Sequence, residues 1–132
     1  MPFQPDGWTC TTATYSDLEA NGNFKLYNSS ETKHQVGDRY GVHGTANAST
    51  DGSGSIAVSI SRPADALNYF VVDTDYENYS VVYNCSKKTA GLVELWYLSR
   101  HPVVTQAELD HFNGITHAKM PHFDTSALLI DY

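Results

Sequence analysis

NYFVVDTDYENYSVVYNC, residues 68–85, and LVELWYLSRHP, residues 92–102, alternate β-branched and aromatic residues and are broken by short polar runs. Read by period and turn chemistry, they predict strands over 69–74, 79–85 and 92–99. A polar turn over 75–78 joins the first two, and a Lys-Lys-Thr-Ala-Gly run joins the last two. Such short connections make an antiparallel meander.

Working outward, residues 9–16 are Thr- and Tyr-rich with a β pattern, and Asn21-Gly22 within the polar run 17–22 is a hairpin signal. A strand over 24–29 follows. A charged interval, 30–38, leads to another over 39–48, where Gly41 and Gly44 predict a bend or bulge. Beyond the turn STDGSG, residues 55–61 alternate, with Ile56, Val58 and Ile60 on one face and small residues on the other. After Pro102 the period changes. Thr105 and Glu108 form a capping-box pattern, and Leu109, Phe112 and Ile115 share a helical face. A helix over 105–113, stopped by Gly114, is expected to pack outside the sheet, and a short strand over 126–131 to end the chain. About seven strands with no parallel crossover make an all-β, antiparallel up-and-down barrel the expected architecture, with residues 1–132 as one domain.

Composition bounds the function. Hydrophobic residues make up 41% and charged residues 17%, so the chain has ample core material. A net charge of -7, with 8 scattered Lys and Arg, argues against nucleic acid. No apolar run approaches the roughly 20 residues of a membrane span. Cys10 and Cys85 have no zinc-like spacing. Sequons at Asn28, Asn47, Asn78 and Asn84 fit a secreted glycoprotein. His101, His111, His117 and His122 read as surface or packing residues, and Asp73, Asp75 and Glu77 as turn carboxylates without catalytic work.

Thr74-Asp75-Tyr76 in the first turn and Arg100 after the third strand resemble two sequence motifs of the lipocalins. The stretch as a whole is most similar to the apolipoprotein D and bilin-binding branch. The resemblance begins late, because the family's first strand with its Gly-x-Trp motif has no counterpart here, and Gly7-Trp8 is not that motif. It implies that Arg100 lacks the Trp on which it packs in relatives. It also implies that Cys10 and Cys85 lack their disulfide partners: either the chain is a fragment or processed form, or the two thiols are free, bonded to each other, or joined between chains. Open strand edges then lead us to expect an altered closure or a homo- or hetero-oligomer.

By the same resemblance, Ala13, Phe24, Leu26, Asn28, Tyr69, Val71, Ser80, Val82, Trp96 and Leu98 point into the barrel and line a ligand pocket, against a plain reading of each as core packing. The implied function is extracellular transport of a small hydrophobic ligand: a bilin first, then a carotenoid, retinoid or fatty acid. No metal is expected. Lys33, His34, Arg39 and His43 are candidates to meet bilin propionates at the mouth. The alternative is an isomerase resembling lipocalin-type prostaglandin D synthase, with Cys10 as nucleophile, activated by Thr11, Thr12 or Ser80. A third reading is a barrel filled by its own side chains.

Overall fold

The computed structural model describes residues 7–32, 35–60, 67–85 and 93–128. Its strands are β1 (Trp8–Ser16), β2 (Phe24–Thr32), β3 (Gln35–Ala48), β4 (Ser55–Ser59), β5 (Leu67–Thr74), β6 (Tyr79–Cys85) and β7 (Val93–Ser99), followed by helix α1 (Gln106–Lys119). They form one 7-stranded antiparallel sheet in chain order, curled into a half-barrel. Among the described residues, β1 and β7 each have one strand neighbour. The curl brings the two ends of the sheet into electrostatic range: burial raises the Tyr15 phenol on β1, and the charge of Arg100, just after β7, works against that rise.

Strand alternation separates two faces. On the convex face, Val81 and Leu95 pack with Phe112 of α1, flanked by Tyr79, Tyr83 and Tyr97. Phe112 is 2% exposed and stacks on Tyr97, with ring centroids 4.9 Å apart. Thr105 caps α1 as expected: its Oγ1 accepts from the Glu108 N–H at 3.2 Å, and the Glu108 carboxylate accepts from the Thr105 N–H at 2.7 Å. That Thr105 N–H, with His101 next, pulls Glu108 down to about 2.

Three expectations need correction. Gly114 lies inside α1 and does not end it. The next turn carries Ile115 and Thr116 onto the sheet, where the buried Thr116 hydroxyl lies 2.6 Å from that of Tyr97, so packing outweighs the cost of about 1 kcal/mol for a helical Gly. Gly41 and Gly44 mark no bulge, since the β2–β3 register runs through both and shifts only between Glu31 and Thr32. They are needed for close approach: a Cβ would sit 2.5 Å from Asn28 O at Gly41 and 2.7 Å from Ser59 O at Gly44. Ser126 and Ala127 belong to a 3₁₀ turn, Thr125–Ala127, capped by Asp124, and not to a strand. Leu128 just beyond it packs on the Phe112 cluster, and residues 129–131 of the expected strand lie outside the described residues.

The β5–β6 turn explains the motif quoted at the outset. The Asp75 carboxylate accepts from the backbone N–H of Glu77 (3.0 Å), Asn78 (2.7 Å) and Tyr79 (3.1 Å), and Tyr76 takes a left-handed φ of 66°. Arg100 reaches the same turn, its Nε donating to Glu77 O at 3.2 Å and its backbone N–H to Asn78 O at 2.9 Å. The Asn78 N–H foremost, with the other donors, holds Asp75 well below the usual carboxylate range. A carboxylate depressed on folding contributes stability above its unfolded value of about 3.9 and loses it as pH falls through the folded value. Asp75→Asn therefore lowers the melting temperature by several degrees at pH 7, and the gap to wild type narrows progressively as pH drops below about 4. Identical melting curves at pH 7 would contradict this role.

Candidate functional site

The concave face carries the alternate residues of the same strands. Phe24, Leu26 and Asn28 from β2, Ile56 and Val58 from β4, Tyr69 and Val71 from β5, Ser80 and Val82 from β6, and Tyr15 from β1 surround a hollow. Its volume is about 130 Å³, and one side of it is open to solvent. Small-molecule sites run to roughly 300–1,000 Å³, so a guest of ordinary size would extend beyond the hollow through its open side. Leu26, Ala46 and Val58 are buried beneath it, with Phe24, Ile56 and Tyr69 packed against them. Polar groups at the wall are few: the Asn28 amide, the Ser80 hydroxyl and two phenols. Burial first, then the Glu94 charge, pushes the Tyr69 phenol up to about 12, so it stays a neutral donor at ordinary pH.

Of the residues expected to face inward, the structure brings Phe24, Leu26, Asn28, Tyr69, Val71, Ser80 and Val82 together around the hollow. Ala13 pairs with Asn28 but is exposed on the edge strand, outside the lining. Trp96 and Leu98 share the concave face through their pairing with Val82 and Ser80. They sit beyond its wall, with the Trp96 ring 5.2 Å from that of Tyr69. Tyr15, Ile56 and Val58 are lining residues that the inward assignment missed. The alternation of residues 55–61 had already grouped Ile56 with Val58, and Tyr15 stands two positions from Ala13 with the same parity; the missing step was to extend that parity to both strands.

Two of the proposed mouth donors face the other way. Glu31 pairs with Arg39 and Tyr27 with His43, positions that alternate with the lining residues Leu26 and Asn28. Arg39 is held on the convex side by Glu31 (3.1 Å), the Ser29 hydroxyl (3.1 Å), Thr12 Oγ1 (2.7 Å) and Cys10 O (2.8 Å). His43 stacks on Tyr27 at 4.4 Å. Lys33 and His34 lie outside the described residues. Cys10 bears a free, exposed thiol at a left-handed residue (φ 52°) within the β1 bulge, away from the hollow. The hydroxyls of Thr11 and Thr12 lie 2.8 Å from Ser30 Oγ and 3.1 Å from Ser29 Oγ. Among the described residues, no three His, Cys, Asp or Glu side chains gather as a metal site, and no helix is long and apolar enough to cross a membrane.

A curled antiparallel sheet with an apolar hollow on one side and a helix on the other has the architecture of a lipocalin-type half-barrel. The family model described as lipocalin / cytosolic fatty-acid binding protein matches residues 7–127, and the chain belongs to that family. The Lazarillo protein of Schistocerca americana is 33% identical over 106 residues, which cover 76% of this chain and 47% of that protein. The chain thus spans about half the length of this relative. Lobster apocrustacyanin A1 superposes with a TM-score of 0.71 at 16% identity, and apocrustacyanin C1 with 0.68 at 17%; each match covers 96% of this chain and 67% of the other. At such identity the crustacyanin likeness concerns the fold alone.

The site geometry also sorts the sequons. Asn28 lines the hollow and Asn84 is buried, Asn78 donates from Nδ2 to Asp75 at 2.8 Å, and Asn47 is exposed. Passed through a eukaryotic secretory pathway, the chain should carry glycan at Asn47, so that Asn47→Gln lowers the intact mass by one glycan, with Asn28 and Asn84 unmodified. Glycopeptides at Asn28 or Asn84 would contradict the burial described.

Proposed function

We propose that this chain is a non-enzymatic, secreted carrier that takes a small hydrophobic molecule into the trough of its half-barrel. The observation that carries the reading is the concave face itself: a partly enclosed apolar hollow, walled by Phe24, Leu26, Ile56, Val58, Val71 and Val82, that no side chain of the described residues fills. Moving apolar surface from water into such a space supplies the binding free energy, and Asn28, Ser80 and Tyr69 orient the guest. Phe24, Tyr15 and Tyr69, with Trp96 behind them, favour a flat conjugated molecule, since aromatic faces stack on extended π systems. A bilin remains the first choice through the resemblance of the β5–β7 stretch to bilin-binding lipocalins, followed by a carotenoid, a retinoid and a fatty acid. The outward turn of Arg39 and His43 takes two propionate partners away from the bilin. The position of Cys10, exposed on the bulge and apart from the lining, weighs against the isomerase reading. The edges of β1 and β7, unmatched among the described residues, favour pairing with another chain in a homo- or hetero-oligomer.

The test is titration with biliverdin, β-carotene, retinol and palmitate in a Trp8→Phe background, reading Trp96 fluorescence. At least one should bind in the micromolar range or tighter. Val82→Phe, which narrows the hollow without adding a second indole, should weaken that ligand by about tenfold or more while leaving the circular dichroism spectrum unchanged. Failure of all four to bind, or unaltered binding to Val82→Phe, would overturn the proposal.

A further inference from the structure

Beside the hollow lies a polar pair that the packing of the sheet does not satisfy. Asn84 of β6 and Glu94 of β7 face each other across the ladder, 0% and 4% exposed. A single hydrogen bond joins them, Asn84 Nδ2 donating to Glu94 Oε2 at 2.9 Å. The Asn84 amide oxygen, Oδ1, and the second carboxylate oxygen of Glu94, Oε1, are buried with no hydrogen-bond partner among the described residues. Both are acceptors, and what is missing is a donor. Buried polar groups in folded proteins are almost always paired, and an orphaned one is costly, more so next to a carboxylate.

The register places this pair on the concave face, next to the lining of the hollow but not part of it. Asn84 follows Ser80 and Val82 on the same face of β6, and its other strand neighbour is Tyr69; all three of these residues line the space. Glu94 precedes Trp96 on the same face of β7, and Trp96 lies against Tyr69. A guest lying along Val71 and Val82 and pressing past Tyr69 would therefore meet two unpaired acceptors buried just beyond the lining.

We infer that Asn84 Oδ1 and Glu94 Oε1 form a polar subsite that receives the O–H or N–H end of the apolar guest, selecting molecules with a hydrogen-bond donor at that end over those ending in a carboxylate. The inference rests on the carrier reading and adds to it the chemistry of the guest. A terminal hydroxyl donates its one proton to one of the two oxygens and so removes one of the two unpaired acceptors. A pyrrole or lactam N–H does the same. A carboxylate brings two more acceptors and a second negative charge against Glu94, so nothing is satisfied and like charges meet in a water-poor space.

The experiment compares retinol with retinoate, which share one polyene and differ at the end group, by quenching of Trp96 fluorescence in the Trp8→Phe protein. Retinol should bind roughly tenfold or more tightly than retinoate, and Glu94→Gln, which removes the charge, should bring the two affinities within a few-fold of each other. The wild-type comparison decides the matter on its own if Glu94→Gln does not fold. Equal affinities in wild type, a preference for retinoate, or a ratio untouched by Glu94→Gln would overturn the subsite and leave the carrier reading standing. Binding of neither molecule, together with none of the other ligands, would remove both.

Discussion

The structure depends on one division of labour within β6. Tyr79, Val81 and Tyr83 turn outward under α1, while Ser80, Val82 and Asn84 turn inward. Because side chains alternate with a period of two, a shift of one residue would bring the tyrosines into the trough and the pocket wall onto the helix. Phe112 and Thr116 anchor the outward set; replacing a buried Phe of this kind with Ala typically costs about 3–5 kcal/mol, a large part of the stability of a small domain. The inner face is thus free of the task of making the main core and can be left partly hollow.

The β5 bulge serves the same division. Val71 pairs with Val82 and lines the hollow, yet Asp73 pairs with the outward-facing Val81, so Val72 and Asp73 both turn away from the trough. Regular alternation would have aimed the Asp73 carboxylate at the guest. Instead it binds Lys119 Nζ at 2.7 Å and accepts from the Tyr79 hydroxyl at 2.7 Å, and Lys119 also donates to Val72 O at 3.0 Å. Lys119 first, then Tyr79, lowers the Asp73 carboxyl, and the same hydrogen bond pushes the Tyr79 phenol up to about 12. One extra residue in the ladder therefore clears a charge from the pocket and ties the end of α1 to the sheet.

What the sequence made legible follows from the range of the signals involved. Residues 68–99 announced their strands because alternation and the Asp75 turn are local, and β6 fell on the expected residues, 79–85. The Thr105 cap was legible for the same reason. The end of α1 was not, because its second half is held by Thr116 against Tyr97, a contact between residues 19 apart in the chain. Nor was the role of Gly44, since the atom that excludes a side chain there belongs to Ser59 on the next strand. Most of the inward parity was carried by the family resemblance, and it lapsed where no motif marked the strand, at Ile56 and Val58. The Asn84–Glu94 pair escaped notice because Asn84 read as a sequon and Glu94 as one charge in an apolar strand; only the β6–β7 register sets them opposite each other.

The central claim is that the concave face receives the guest while the convex face belongs to the helix. Methyl-labelled protein, saturated with whichever ligand binds, tests it through nuclear Overhauser contacts between ligand and side chains. The account predicts contacts to Leu26, Val71 and Val82 and none to Val81 or Leu95, which lie on the opposite side of the same strands. Contacts to Val81 and Leu95, with the inner methyls silent, would contradict it.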